Sequence, residues 1–379
     1  MIRYDVVIVG GGIAGPVAAR YAALNHLKVL LVEKRKIPRP KPCSGIQFSY
    51  FPKILGLKIP RDRLCTNVLD HVCIHLPSGK SMTAPFKMYN FMRDTFDAWL
   101  ANTAAQAGAE FRDNVEGKNF VDEGDHIAVT LVPRGGEPEV VETKYLLAAD
   151  GLYSKLRQRL RPDDFEKKST GATLNFYLKC ENDGDLKPNV LYQFWNLDFC
   201  DMMFAWVYKK NDLWVVGTGY SENIRDHAQA FLAFVQEKYH LHGEIVKREG
   251  YASAFKLLSD RQVFLGQGNV FFAGDAAGLL DLSRGVGMDG AALSARRVAI
   301  AMAKSQRTGT PALELYEKAM AKTVKKMQKS ASRQVSNVHT NEELAALLRK
   351  NLLRMGLGMM FGNLANKVLG WNHLTLLPP

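Results

Sequence analysis

A glycine-rich turn between two apolar strands near the start of the chain constrains the fold more than any other feature. Residues 4–9 have the pattern of a buried strand, an alanine-rich helix follows the turn, and residues 28–33 form a second buried strand that ends in an acidic residue. This order is typical of a βαβ unit that binds a dinucleotide. The turn matches G-x-G-x-x-G, with its glycines at Gly10, Gly12 and Gly15.

The glycines and the acidic residue have separate roles in such a unit. Gly10 permits the tight turn, Gly12 lets a diphosphate approach the backbone, and Gly15 lets the helix pack closely on the strand. The helix N-terminus attracts the diphosphate charge. Glu33 is predicted to accept hydrogen bonds from ribose hydroxyls and to disfavour a 2′-phosphate, an exclusion that the adjacent Lys34 and Arg35 weaken. Lys34 is also predicted to contact the cofactor. The motif alone does not distinguish NAD from FAD.

Two later strands each end in an aspartate. Residues 146–150 form a buried strand before a helix, and residues 270–275 form another, followed by a glycine-containing loop and a helical run over 290–303. Ligands bind at the carboxyl ends of strands in open α/β sheets, so both ends are predicted to face the dinucleotide. The positions singled out are Asp150, Gly274, Asp275, Gly285, Gly287 and Met288.

These three segments, in this order and separation, resemble the FAD-dependent monooxygenase and reductase superfamily that has the fold of para-hydroxybenzoate hydroxylase. The resemblance covers roughly residues 1–330. It implies FAD as the cofactor, with Asp275 on a ribityl hydroxyl and the backbone at Gly287 and Met288 facing the flavin N1 and C2 carbonyl. It also implies that Arg93 lies against the diphosphate and ribityl groups, and the alternative for Arg93 is an exposed helical position.

Within that superfamily the chain resembles the geranylgeranyl reductase branch. Gly278 follows Gly-Asp-Ala-Ala where aromatic hydroxylases usually carry histidine, and the proline-rich loop 38–46 contains Cys43, Ser44 and Gly45, with serine replacing the more usual glycine. The resemblance implies that this loop contacts the flavin and that Cys43 lies on its substrate side. A thiol there could position a substrate or donate a proton. The alternative for Cys43 is a small buried hydrophobic residue.

An aromatic segment is the predicted substrate-binding surface. Phe204, Trp206 and Tyr208 alternate along a predicted strand and therefore share one face. They occupy the places of Tyr, Trp and Phe in the Y-x-W-x-F-P segment of the branch, whereas Asp201 and Lys209 stand where that segment has prolines. This face could line an apolar tunnel, or its aromatic side chains could pack into the core of their own sheet.

The predicted fold class is α/β, with a Rossmann-type FAD-binding domain, an inserted antiparallel-sheet substrate domain and a helical C-terminal tail. Alternating strands with turn signals indicate the inserted domain. The predicted divisions are 1–64, 92–165 and 261–340 for the FAD-binding domain, 65–91 and 166–260 for the substrate domain, and 341–379 for the apolar tail.

Composition excludes several classes of protein. The hydrophobic fraction of 47% and the charged fraction of 23% are those of a globular protein. Five cysteines without a C-x-x-C pair argue against a disulfide framework and a zinc site, and no metal site is expected. The chain shows neither a secretion signal nor a run of ~20 uncharged apolar residues. A cytoplasmic location is therefore predicted.

The net charge of +12 indicates an anionic partner. Residues 304–333 are rich in lysine and arginine, and their only acidic residues are Glu314 and Glu317. One basic C-terminal helix is therefore predicted. Three interpretations of the apolar tail compete. It closes the substrate tunnel, packs on a partner subunit, or lies on the inner face of a membrane with the basic helix against anionic lipid.

The favoured function, implied by the resemblance, is an FAD-dependent reductase that saturates carbon–carbon double bonds of a prenyl chain on a lipid, quinone or pigment precursor. NAD(P)H or a small electron-transfer protein is expected as the electron donor, and nucleic acid is not expected as a partner. The alternative is an FAD-dependent monooxygenase or halogenase that acts on an aromatic metabolite. A third class is a non-enzymatic flavoprotein that binds a membrane or nucleic acid through its positive charge.

Overall fold

Two eight-stranded sheets organise the described part of the protein. The structure is a computed structural model that describes residues 3–165, 170–201, 204–254, 263–280, 285–331 and 338–349. The strands are β1 (Arg3–Val9), β2 (Val29–Glu33), β3 (Ile46–Phe48), β4 (Cys65–His75), β5 (Ser81–Phe91), β6 (Glu110–Asp113), β7 (Val115–Asp122), β8 (Ile127–Pro133), β9 (Glu139–Ala148), β10 (Thr170–Cys180), β11 (Val190–Phe194), β12 (Ala205–Lys210), β13 (Leu213–Ser221), β14 (Gly243–Ala254), β15 (Gly266–Gln267) and β16 (Val270–Phe272).

Helices cover the sheets and connect their strands. They are α1 (Ala14–Leu24), α2 (Phe51–Leu55), α3 (Arg61–Leu64), α4 (Arg93–Gln106), α5 (Lys155–Leu160), α6 (Ile224–Tyr239), α7 (Met288–Thr308), α8 (Ala312–Ala331) and α9 (residues 341–349). Short 3₁₀ turns lie at Pro162–Phe165 and Gly274–Ala277.

The first sheet has the strand order β15-β16-β9-β1-β2-β6, and β7 and β8 extend it as an antiparallel pair that joins β9. Strands β16, β9, β1, β2 and β6 run parallel. β1 and β2 are almost entirely buried, which explains their continuous runs of valine, isoleucine and leucine. The carboxyl ends of β1, β9 and β16 meet at one edge of the sheet, as the three predicted segments require.

The second sheet has the order β14-β10-β13-β12-β11-β4-β5-β3. One face packs against α6, where Phe231 and Val235 are fully buried with Trp214 of β13. The opposite face, here called the inner face, carries the alternate residues of the same strands, including Tyr177, Trp206, Tyr208 and Val215. Lys210 of β12 reaches from this face to the Cys43 loop. The inner face therefore lies against the first sheet with its helices, here called the first unit, and the second sheet with α6 is called the second unit.

The structure differs from the predicted domain organisation in the assignment of one strand and in the type of the second sheet. Residues 46–48 form β3, which pairs with β5 of the second sheet, although they were assigned to the FAD-binding domain. The second sheet is also not purely antiparallel, because β4 and β11 run parallel. β4 precedes the segment 92–165 of the first unit and β11 follows it, so these two neighbours are not joined by a hairpin.

The C-terminal basic stretch is not one helix. α7 ends at Gly309, whose φ of +74° is left-handed, and Pro311 follows before α8 begins. Leu344 and Leu348 of α9 are buried, and Leu197 donates its backbone N–H to Asn341 Oδ1 at 2.9 Å. The rest of the predicted apolar tail, from residue 350, lies outside the described residues. Within the stretches that the structure describes, no helix is long and apolar enough to cross a membrane.

An aromatic cluster at one end of β4 encloses His75. Its ring is stacked on Phe194 with 4.4 Å between the ring centroids, and Tyr192 and Tyr239 lie beside it. Burial, assisted by the charge of Lys238, lowers the pKa of His75 from 6.5 to about 4.

This shift predicts a pH-dependent stability. Between about pH 6.5 and pH 4 the unfolded chain binds a proton at His75 that the folded protein does not, so the free energy of unfolding falls as the pH falls through this window. His75→Phe is expected to remove this part of the slope. Urea denaturation at several pH values measures it, with the exposed His242→Gln as the control. An identical slope in His75→Phe and the wild type would contradict the prediction.

Candidate active site

The glycine-rich turn has the close contacts that its motif predicts. Gly10 has a φ of +116°, and a Cβ at this position would lie 2.3 Å from the carbonyl oxygen of Ala149 at the end of the neighbouring strand. A Cβ at Gly15 would lie 1.8 Å from the carbonyl oxygen of Gly10. Only glycine fits both positions, and the N-terminus of α1 consequently lies directly at the turn.

A buried ionic network, here called the Asp97 network, connects this turn to β2 and α4. Gly11 donates its backbone N–H to Glu33 Oε2 at 2.7 Å, and Arg39 Nη2 donates to the same oxygen at 3.1 Å. Arg39 Nη1 also donates to Asp97 Oδ2 at 3.2 Å. Arg93 binds both oxygens of Asp97, at 2.8 and 2.9 Å. Asp97 thereby holds two arginines at the end of β2, and all four side chains are buried.

Two cations lie above the glycine turn. A Cβ at Gly12 would lie 3.9 Å from Lys41 Nζ and 4.0 Å from Arg93 Nη2. Burial, with the adjacent charge of Arg93, lowers the pKa of Lys41. A helix N-terminus, a backbone open to close approach and two cations are what a diphosphate needs. These residues therefore fit the diphosphate of a dinucleotide.

The two predicted aspartates lie at the adjacent strand ends. Asp150 Oδ2 accepts from the backbone N–H of Lys155 at 3.0 Å, while its buried Oδ1 has no hydrogen-bond partner among the described residues. Burial raises the pKa of Asp150. Asp275 lies against the start of α7, since a Cβ at Gly287 would be 3.2 Å from its Oδ1. Asp150 thus follows the strand end that Gly10 contacts, and the Asp275 carboxylate lies at the start of α7.

β3 of the second sheet and the nearby Tyr50 contact the N-terminus of α7. Gln47 of β3 donates from Nε2 to the sulfur of Met288 at 3.0 Å, and Tyr50 donates to Asp289 Oδ2 at 2.9 Å. Gly287 precedes the helix without a side-chain cap. The start of α7 therefore lies against residues 47–50 of the chain.

Cys43 lies between the two units. Its half-buried sulfur accepts from the backbone N–H of Gly45 at 3.4 Å, and the Arg93 guanidinium lies close enough to it for an electrostatic interaction. From the inner face, Lys210 Nζ donates to the carbonyl oxygens of Ser44 at 2.8 Å and Cys43 at 3.3 Å. The thiol is therefore neither fully buried nor remote from the predicted cofactor residues.

The aromatic segment supplies part of the inner face. Trp206 is half-buried, and its Nε1 donates to Asn175 Oδ1 at 2.8 Å. This bond crosses Gly217 on the intervening strand, where a Cβ would lie 2.3 Å from Trp206 Nε1. Phe204 is buried beside Trp206, with 6.1 Å between the ring centroids, and Tyr208 is 1% exposed. Core packing thus describes Tyr208, whereas Trp206 is only half-buried.

The sequence did not single out every residue of this site. Arg39, Lys41, Asp97, Asn175 and Lys210 were not predicted. The spacing of Arg93 and Asp97 at i and i+4 on a helix was the only local signal among them. Lys34, which was predicted to touch the cofactor, is exposed and lies near Glu116 outside the Asp97 network.

Comparison with known families identifies the chain. The profile of the FAD binding domain family matches residues 71–331, and that of an NAD(P)-binding Rossmann-like domain matches residues 8–40. The chain belongs to the FAD-binding domain family. Its cofactor is FAD, and it is an FAD-dependent oxidoreductase, as the sequence predicted.

Similar proteins narrow the family further. The chain is 27% identical to digeranylgeranylglycerophospholipid reductase 2 of Methanopyrus kandleri over 97% of this chain and 96% of that protein. It is 29% identical to the reductase 2 of Methanothermobacter thermautotrophicus over 92% and 91% of the two chains. A match to the Methanocaldococcus jannaschii reductase, at 28% identity, spans 62% of this chain and 59% of that protein. The predicted resemblance to the geranylgeranyl reductase branch is confirmed.

Solved structures have the same fold. A geranylgeranyl bacteriochlorophyll reductase-like protein of Thermoplasma acidophilum superposes with a TM-score of 0.79 at 22% identity, over 91% of this chain and 90% of that one. A myxobacterial chondrochloren halogenase superposes with a TM-score of 0.71 at 16% identity, over 94% and 90%. The predicted fold class, an α/β flavoprotein with a Rossmann-type domain, is confirmed.

The Asp97 network generates a prediction for cofactor affinity. Asp97→Asn leaves Arg93 and Arg39 without their shared carboxylate, and we expect FAD to bind at least about tenfold more weakly because both guanidinium groups lose their orientation. Titration of FAD into the apoprotein, followed by flavin fluorescence, measures the affinity. Asp94→Asn, on the same helix but outside the network, is the matched control. Equal affinities in the two variants would contradict the role of Asp97.

Proposed function

We propose that the protein saturates carbon–carbon double bonds of a geranylgeranyl-type chain carried by a lipid. The observation that carries this proposal is the position of the Cys43 loop, which contacts the cation-lined FAD-binding edge on one side and the aromatic inner face on the other. An apolar chain on that face would lie next to the cofactor. The names of the similar archaeal reductases support the same reaction and substrate class.

FAD is assigned to the edge formed by the glycine turn, the Asp97 network and the start of α7. Glu33 would bind ribose hydroxyls, Arg93 and Lys41 the diphosphate, and Asp275 a ribityl hydroxyl. The backbone N–H groups at the start of α7 would face the flavin ring, where the positive end of the helix dipole stabilises negative charge. When bound and reduced by the electron donor, FAD would supply the hydride for alkene reduction. The remaining predicted positions are Gly10, Gly12, Gly15, Ser44, Gly45, Asp150, Gly274, Gly285, Gly287 and Met288.

The protein would bind the prenyl chain by burying its apolar surface and not through charged side chains. Trp206, with its ring fixed by the bond to Asn175, offers a flat apolar surface, and Phe204 supports it from behind. Such a surface excludes water and keeps a prenyl chain extended. Tyr208 closes the inner face beneath the chain. The Cys43 thiol at the edge of this face would donate the proton to the alkene carbon that does not receive hydride.

The substrate's source is proposed to be a membrane surface. Arg307, Lys318, Lys322 and Lys325 are exposed on α7 and α8. A positive helical surface is attracted to anionic headgroups, by about 1 kcal/mol for each basic residue near the surface. We therefore place the protein in the cytoplasm, peripheral to the inner face of the membrane, where it would meet NAD(P)H or a small electron-transfer protein as electron donor.

The reaction is tested without oxygen. The FAD-loaded protein is reduced with dithionite under anaerobic conditions and mixed with lipid that carries geranylgeranyl chains, while the flavin absorbance is followed. Re-oxidation of the flavin, together with a product that has gained two hydrogens for each saturated bond by mass spectrometry, is the expected result. Flavin that stays reduced until oxygen is admitted would overturn the proposal and favour a monooxygenase or halogenase.

The aromatic surface makes a specific prediction for the same assay. Trp206→Ala removes the half-buried ring and the hydrogen bond to Asn175, so kcat/KM for the prenyl lipid should fall by about tenfold or more. Met82→Ala removes a large exposed apolar side chain from β5 of the same sheet and should leave kcat/KM unchanged. Equal effects of the two substitutions would show that Trp206 does not contact the substrate.

A further inference from the structure

A lysine of the second sheet is buried against the loop that carries Cys43. Lys210 is the last residue of β12, is 3% exposed, and points from the inner face towards the first unit. Its ammonium donates to two consecutive main-chain carbonyls, those of Cys43 and Ser44. The two partners are separated from it by 166 and 167 positions in the sequence. This lysine is therefore a direct link between the two units at the site.

The electrostatic surroundings of Lys210 are unfavourable for a purely structural lysine. No carboxylate of the described residues forms an ion pair with it, and Glu249 interacts with it only at longer range. Arg93 and Lys247 add positive charge nearby. Burial accordingly lowers the pKa of Lys210. An ammonium in such a place costs free energy that an apolar side chain of similar size would not cost.

The peptide that Lys210 binds also contacts the Cys43 sulfur. The carbonyl of Ser44 accepts from Lys210, and the N–H of the same peptide group, that of Gly45, donates to Cys43 Sγ at 3.4 Å. Hydrogen bonds in series polarise one another, so the ammonium strengthens the bond from Gly45 to the sulfur. The loop is held on its other side by β5, where Phe91 donates its N–H to the carbonyl of Gly45 at 3.0 Å.

The loop also lacks room to move while these contacts are present. Gly45 has a φ of +70°, and a Cβ there would lie 1.9 Å from the carbonyl oxygen of Phe91 and 3.3 Å from Lys210 Nζ. Gly45, whose N–H donates to the Cys43 sulfur, is thus enclosed between β5 and Lys210. Removal of the ammonium would leave the carbonyls of Cys43 and Ser44 without this donor.

We infer that Lys210 is a positioning residue, which holds the Cys43–Ser44–Gly45 loop through two carbonyls and thereby orients the Cys43 thiol at the boundary of the two units. The inner face of the second sheet would then do more than bind a chain. It would also set the position of the group that faces the reacting carbons. The expected effect of Lys210 on catalysis rests on the proposed function, whereas the contact between Lys210 and the Cys43 loop does not depend on it.

The loop contact is tested by hydrogen–deuterium exchange in the FAD-free and FAD-loaded protein. In Lys210→Met, peptides that cover residues 40–48 are expected to exchange about tenfold faster or more, because the donor of two charge-assisted hydrogen bonds is lost. Lys210→Arg keeps the charge and the donors and should restore slow exchange. Lys209→Met is the matched control, since Lys209 pairs with Asp183 and does not touch the loop.

The catalytic consequence is tested by a double-mutant cycle. Lys210→Met should lower kcat for the prenyl lipid by about tenfold or more with little change in KM, and Lys209→Met should change neither. Because Lys210 acts through the cysteine, Lys210→Met should have little further effect in a Cys43→Ser background. Multiplicative effects of the two substitutions would overturn the inference, as would unchanged exchange of the loop in Lys210→Met.

The outcomes separate this inference from the proposed function. Faster loop exchange in Lys210→Met with a wild type that reduces no prenyl lipid would overturn the proposed function and support the loop contact. If the wild type reduces the prenyl lipid and Lys210→Met has wild-type loop exchange and wild-type kcat, the proposed function is supported and the inference about Lys210 is overturned. Should Lys210→Met not fold, Lys210→Gln retains an amide donor without the charge. Lys210→Gln is then expected to show faster loop exchange and a lower kcat than Lys210→Arg, and wild-type values would contradict the inference.

Discussion

The site depends first on one buried carboxylate. Asp97 binds Arg93 through both oxygens and Arg39 through one, and Arg39 carries the connection on to Glu33 and the N–H of Gly11. Two arginines could not remain buried beside a dinucleotide-binding turn without this compensation, because an unpaired buried charge costs several kcal/mol. α4, β2 and the glycine turn thus share one electrostatic network, and the orientation of the cationic groups above the turn follows from it.

The second constraint is a set of polar contacts around the start of α7 and the Cys43 loop. Gln47 reaches Met288, Tyr50 reaches Asp289, and Lys210 reaches the Cys43 loop. All three contacts surround the N-terminus of α7 or the predicted flavin side of the site. The second sheet therefore both covers the cofactor-binding edge and determines which side chains approach it. A halogenase with the same fold shows that the architecture alone does not determine the chemistry.

Sequence patterns predicted the part of the site that local geometry dictates. The glycine turn could be recognised because Gly10 and Gly15 leave no room for a Cβ, and the three strand ends followed from apolar runs. The roles of Asp97 and Lys210 could not be recognised from the sequence, because they depend on contacts between segments that are distant along the chain. β3 was misassigned for the same reason, because three residues that pair across a sheet carry little periodicity. The break between α7 and α8 did have a local signal, because Gly309 is followed by Pro311. The run of positive charge across this position nevertheless led to the prediction of one helix.

The central claim is that an apolar chain lies on the inner face beside the Cys43 loop, with FAD along the edge above the Asp97 network. The most direct measurement is a crystal structure of the FAD-loaded protein with a bound geranylgeranyl lipid. The account predicts chain density against Trp206 and the flavin ring between the Cys43 loop and the start of α7. Density for the chain at any other surface, or a flavin ring separated from the Cys43 loop by the second sheet, would contradict it.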